Sequence, residues 1–209
     1  MRRRVGVLIS GRGSNMAALV EAARDPDYPA EIALVVSNRP HAPGLALASE
    51  AGVEALAIDH RRFGTDRAAH ETAIDAALRE ARVEIVCLAG FMRLLTRFFV
   101  HAWEGRMINI HPSLLPAFPG LNTHERALAA GVKLHGCTVH LVTEAMDQGA
   151  ILAQAAVPVL ANDDAGRLAA RVLAEEHVIY PSALRAFAAG RPARLAPADA
   201  VLRNPLPSE

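Results

Sequence analysis

Lysine is almost missing from this chain. Of 22 basic residues only Lys133 is lysine, and 22 acidic residues bring the formal net charge to zero. A neutral chain without a basic run has no electrostatic footprint for nucleic acid or an anionic membrane. Arginine in place of lysine, alongside abundant alanine, reads as a compositional habit of the source. Cysteine is scarce too. Cys87 and Cys137 both sit in apolar, strand-like runs, EIVCLAG and GCTVHLV. That predicts buried free thiols in a reducing cytoplasm. No window approaches the ~18 apolar residues of a membrane span. The N-terminal apolar run, Val5 to Ile9, is too short for a signal peptide. Nine histidines occur without CxxC, HxH or HExxH spacing, and His135 and His140 fall on opposite faces of a regular strand. No metal is expected. Ser113 lacks the GxSxG context of a hydrolase nucleophile.

What is present is enough apolar material for a core. The 209 residues are 52% hydrophobic, which suits one α/β domain. Apolar runs at 5–10, 31–37, 53–58, 84–90 and 107–110 read as strands. Between them, 16–23, 43–51 and 65–81 read as helices. In the last of these Ile74, Ala77, Leu78 and Ala81 form one stripe, and Thr65 or Asp66 can cap the start. Strand–helix alternation predicts a mostly parallel, twisted sheet with helices on both faces, Rossmann-like in its N-terminal half. The pattern then changes. Runs 136–143 and 150–160 are separated only by the polar loop EAMDQG, so they predict an antiparallel pair. A long helix follows, with a cap at Asn162 or Asp163, a face of Leu168, Val172 and Ile179, and a kink or break at Pro181. Residues 1–190 are expected to form a single domain and 191–209 a proline-rich tail.

Three places carry chemistry. The turn Gly11-Arg12-Gly13-Ser14-Asn15 joins the first strand to the first helix. Unpaired N–H groups at a helix start can hold a phosphate, and glycines let a ligand approach. A tight turn capped by Ser14 or Asn15 is the plainer alternative. It is not a dinucleotide fingerprint, because Met16 replaces the third glycine and the second strand ends Ser37-Asn38 without a ribose-binding acid. Second, in MINIHP, Asn109 and His111 share a strand face just where Pro112 ends the strand. An amide and a protonated imidazole there could donate to a developing oxyanion, or simply hydrogen-bond to each other. Third, Asp147 in the EAMDQG loop could pair with His111 and accept a proton, or be a turn aspartate before Gly149.

Taken together, VLISGRGSNM, LAGFMRLL, INIHPSLLPAFPGLNTHERAL, HGCTVHLV, the DQG of the loop and EEHVIYP occur in this order. In that order they resemble the glycinamide ribonucleotide formyltransferases, the folate-dependent enzymes of purine biosynthesis. The resemblance runs from about residue 3 to about residue 188. It implies the formyltransferase fold and formyl transfer from 10-formyltetrahydrofolate, a cosubstrate, to the amine of glycinamide ribonucleotide. No tightly bound cofactor is implied. It makes Asn109, His111 and Asp147 the catalytic trio. It places the ribonucleotide phosphate on Gly13, Ser14 and Asn15, and the ribose on Glu176. Folate would lie against Phe91, Met92, Arg93, Leu94, Leu95 and Val142, with Arg67 near its glutamate tail. The expected partners are these small molecules, with the chain as monomer or homodimer. Asn122 stands where relatives often have histidine, and Leu173 where they often have a polar phosphate neighbour. Formyltetrahydrofolate hydrolases and methionyl-tRNA formyltransferases resemble the chain too, but usually carry a further N-terminal or C-terminal domain. A non-catalytic nucleotide- or folate-binding module is the alternative from another class.

Overall fold

The computed structural model describes residues 2–190; the tail expected at 191–209 lies outside the described residues. Among the described residues, seven strands form one sheet: β1 (Arg3–Ile9), β2 (Ala30–Ser37), β3 (Ala55–Ala57), β4 (Ile85–Leu88), β5 (Met107–His111), β6 (Leu134–Leu141) and β7 (Ile151–Pro158). Their spatial order is β3-β2-β1-β4-β5-β6-β7. The first five pair in parallel, and β6 and β7 are antiparallel to their neighbours. The strand pair expected around the EAMDQG loop is therefore present.

Among the described residues, six α-helices cover the sheet: α1 (Ser14–Ala22), α2 (Pro43–Glu50), α3 (Arg67–Glu80), α4 (Arg97–Ala102), α5 (Thr123–Ala129) and α6 (Ala165–Ala188). Alternate strand residues feed two apolar layers. Val5, Val7, Ile9, Cys87, Ile108 and Ile110 face α1 and α6, where Leu19, Val172 and Tyr180 are buried. Leu8, Val36, Val86, Leu88 and Met107 face α3 and α4, where Ile74, Leu78, Phe99 and Trp103 are buried. Period-two burial on both faces makes these strands read as unbroken apolar runs.

Side-chain caps mark the starts of α3 and α6. Asp66, one of the two expected residues, caps α3 by accepting from the Ala69 N–H at 2.9 Å. At α6 the cap is Asp164, not Asn162 or Asp163. Asp163 is used elsewhere: its carboxylate takes two hydrogen bonds from Arg171, at 2.7 and 2.9 Å. Nor does Pro181 break α6, which runs on to Ala188. Its carbonyl accepts from the buried Tyr28 hydroxyl at 2.6 Å, and the adjacent Tyr180 hydroxyl donates to the Leu88 carbonyl at 3.0 Å. Tertiary bonds and buried Tyr180 and Leu184 hold the helix together where the proline removes a rung.

Among the described residues, no helix is long and apolar enough to cross a membrane.

Candidate active site

The chain order reverses direction across the sheet between β1 and β4, and open α/β sheets hold ligands at the C-terminal ends of strands flanking such a point. Three segments meet there: the turn after β1, the segment after β4 and the end of β5.

The turn after β1 is built around Gly13. It adopts φ +76°, and a Cβ on it would lie 2.8 Å from the Gly44 Cα, so both conformation and space demand glycine. Helix α1 starts without a side-chain cap, and the first intrahelical bond runs from the Ala17 N–H to the Gly13 carbonyl at 2.8 Å. The N–H groups of Ser14, Asn15 and Met16 precede that bond, and a helix start of this kind favours an anion. The alternative of a Ser14 or Asn15 cap is not adopted. Asn15 instead reaches α6, donating to the Glu176 carboxylate at 2.7 Å. Glu176 is buried, which pushes its carboxyl up, and the Asn15 bond only partly offsets that.

At the end of β5, Asn109 and His111 point to the α3/α4 side, opposite Ile108 and Ile110. A turn follows at once, with the Ser113 N–H donating to the His111 carbonyl at 2.9 Å. The His111 Nε2–H donates to the Phe118 carbonyl at 3.1 Å, which leaves Nδ1 facing Asp147. Asp147 Oδ2 lies 3.6 Å from that nitrogen. This is ion-pair range and longer than a hydrogen bond. The same oxygen accepts from the Gly120 N–H at 2.8 Å. Asp147 holds φ +57°, a left-handed conformation that aspartate tolerates better than most residues.

A fourth side chain belongs with these three. His140 pairs with Asn109 across the β5/β6 ladder, so the two share a face. Its Nε2 is 3.2 Å from Asn109 Nδ2 and 3.7 Å from Asp147 Oδ1. Burial lowers its pKa, against opposing contributions from the Leu141 carbonyl and Asp147, which favours the neutral ring. Its Nδ1–H donates to the Leu141 carbonyl at 2.8 Å. Nε2 must then accept, and Asn109 is its donor. The amide of Asn109 is thereby fixed with its second hydrogen free. The histidine at 140 drew attention in the sequence only as a poor metal ligand. The missing signal was register, which turns a residue on β6 into a neighbour of β5.

His135, on the other face, makes a separate pair with His124, Nε2 to Nδ1 at 3.2 Å. Among the described residues, no group of three or more histidine, cysteine, aspartate or glutamate side chains could hold a metal.

Of the residues expected to meet folate, Phe91, Leu95 and Val142 are partly buried against the α3/α4 apolar layer. Met92 and Leu94 are exposed, and so are Leu121 and Met146 nearby in sequence to the site loops. The Met92 N–H donates to the Ser10 hydroxyl at 2.8 Å, which ties this segment to the end of β1. Arg93 is half-buried. Arg67 stands apart, exposed at the first residue of α3, its guanidinium without an ion pair among the described residues.

A family model described as formyl transferase matches residues 3–184. The chain belongs to the formyl transferase family. Several relatives carry more specific names. The chain is 42% identical over 185 residues to the phosphoribosylglycinamide formyltransferase of Escherichia coli (strain K12), covering 88% of this chain and 87% of that protein. The crystal structure of phosphoribosylglycinamide formyltransferase from Brucella melitensis matches with a TM-score of 0.86 at 58% identity, covering 91% of this chain and 97% of that one. The trifunctional purine biosynthetic protein adenosine-3 of Bos taurus is 50% identical over 189 residues, 90% of this chain, but the chain spans only 19% of that protein's length.

Proposed function

We propose that the chain transfers the formyl group of 10-formyltetrahydrofolate to the amine of glycinamide ribonucleotide, a step of purine biosynthesis. The reading rests on one observation above all. The Asp147 carboxylate lies 3.6 Å from His111 and 3.7 Å from His140, beside the Asn109 amide, at the C-terminal edge of the sheet. Names of near-full-length relatives, quoted above, support the same substrates.

The chemistry follows from that geometry. The substrate amine attacks the formyl carbon, a C–N bond forms, and a tetrahedral oxyanion develops. The free Asn109 N–H and the Nδ1–H of protonated His111 donate to it, and each such donor typically contributes ~100- to 1000-fold in rate. Asp147 stabilises the imidazolium and takes the amine proton, directly or through water. The bond from the formyl carbon to N10 of folate then breaks, and N10 recovers a proton. No covalent carrier is needed. Burial pushes both thiols, Cys87 and Cys137, up to about 12, and the Ser113 hydroxyl is buried and spent on the Ala117 carbonyl at 2.6 Å. The uncapped start of α1 takes the phosphate and Glu176 the ribose hydroxyls. A slot between residues 91–95 and Val142 takes the pterin, with Arg67 toward the glutamate end. Residues 1–190 act as one domain, as monomer or homodimer, in a reducing cytoplasm that suits two buried thiols.

Supplying 10-formyltetrahydrofolate with and without the ribonucleotide amine tests this. Formylated ribonucleotide, with little formate in either arm, is expected. Formate released at the same rate without the amine would identify a hydrolase, and binding without turnover would identify a non-catalytic module.

A further inference from the structure

The loop between β6 and β7 carries Asp147, yet residues 143–146 are exposed and make few bonds of their own. Several tethers fix its position relative to the sheet. The Val142 N–H donates to the Met107 carbonyl at 2.9 Å, the Leu141 N–H donates to the Ala150 carbonyl at 2.9 Å, and Asp147 accepts from Gly120 and lies in ion-pair range of His111 and His140. The tether nearest the loop tip is Glu144. Its Oε2 accepts from Arg97 Nε at 2.8 Å, and its Oε1 accepts from His101 Nε2.

Arg97 and His101 are one turn apart on α4, so both reach the same carboxylate. Burial alone would raise the Glu144 carboxyl, but the hydrogen bonds from Arg97 and His101 outweigh it and hold the group below its ordinary value. Helix α4 is itself firmly seated. Phe99, Val100 and Trp103 are buried, the Trp103 indole N–H donates to Asp75 at 3.0 Å, and the Thr96 N–H donates to Glu71 at 3.0 Å. It also begins directly after the 91–95 segment. The 91–95 segment therefore leads into α4, and Val142 stands two residues before Glu144.

We propose that Arg97 and His101 are positioning residues that clasp Glu144, join the two walls of the slot, and hold the Asp147 loop in place before any ligand arrives. The clasp rests on the reading of that slot as the folate site. The partners are exposed, and isolated exposed pairs are weak. Two donors converging on one carboxylate from a rigid helix lose less side-chain freedom per bond than two separate pairs. A KM effect of about three- to tenfold matches a pair of such contacts.

Glu144→Gln, Arg97→Ala and Arg97→Lys separate the possibilities. Two readouts are taken on the full chain: amide hydrogen exchange of peptides covering 142–149 without ligands, and KM for 10-formyltetrahydrofolate against kcat at saturating ribonucleotide. Glu144→Gln and Arg97→Ala are expected to speed exchange in 142–149 and raise that KM about three- to tenfold, with kcat within about twofold. Arg97→Lys is expected to recover most of both. Unchanged exchange in 142–149 for Glu144→Gln would overturn the clasp. Faster exchange with an unchanged folate KM supports the clasp and counts instead against the slot as the folate site.

Discussion

Asn109 and His140 form a single unit: the Asn109 amide donates to His140 Nε2 at 3.2 Å, and the His140 Nδ1–H is tied to its own strand at the Leu141 carbonyl. The ring also approaches Asp147 at 3.7 Å. Under the proposed mechanism it fixes where the remaining Asn109 hydrogen points. His140→Ala is expected to lower kcat roughly tenfold, because a loosened donor is a misaligned one. The Asn109→Ala change should cost more, and the double variant little more than Asn109→Ala alone. Steady-state kinetics on the four proteins give the coupling directly. Additive losses would mean that His140 acts without Asn109.

Gly13 answers to two demands at once, φ +76° and a 2.8 Å approach of any added Cβ to the Gly44 Cα. Gly13→Ala is therefore expected to destabilise the fold by about 2 kcal/mol, part from the left-handed conformation and part from displacing backbone. It should also raise the ribonucleotide KM, since the start of α1 has to move. Urea denaturation and initial-rate kinetics check the two halves.

Glu176 couples stability to pH. Burial raises its pKa in the folded chain, so the folded state holds the proton more tightly than the unfolded state does. The stability this contributes is complete below the ordinary carboxylate range and is lost as pH rises through the raised value. Glu176→Gln stays neutral, and Gln can still accept from Asn15. The variant should thus gain thermal stability over the parent as pH increases, while losing ribonucleotide affinity by about tenfold or more. Thermal melts across a pH series and a KM measurement read both.

His135 has the opposite sign. Burial, with smaller contributions from His124 and His111, pushes its imidazole down to about 4, against a raising contact from the Pro112 carbonyl. Keeping this ring neutral contributes stability present above its ordinary pKa of about 6.5 and lost as pH falls toward 4. The loss is expected to be on the order of 2 kcal/mol across that window. His135→Gln should flatten the urea midpoint between those pH values, whatever it does to stability at pH 8.

Much of this was legible in the residues alone, and the exceptions have physical causes. The strands announced themselves because a sheet buried on both faces writes continuous apolar runs, as in Val5–Ile9 and Ile85–Leu88. The antiparallel turn of β6 into β7 followed from a connection too short to cross over. Helices α4 and α5 did not show, being six and seven residues long, barely two turns in which to express a period. Three cap-competent residues in a row, Asn162, Asp163 and Asp164, could be ranked only by knowing that Arg171 claims Asp163. The Asn109–His111 face was readable from strand parity. His140 was not, because its relation to Asn109 depends on the register between two strands.

The central claim is that Asn109 and Asp147 act on one reacting carbonyl with His111. The most direct test is single-turnover formyl transfer by Asn109→Ala and Asp147→Asn, with both substrates saturating and folding verified by circular dichroism. Asn at 147 tolerates the left-handed conformation and can keep the Gly120 bond, so the change removes charge and little else. Each rate is predicted to fall at least ~100-fold with the fold intact. Two folded variants turning over at near-parental rates would contradict the account.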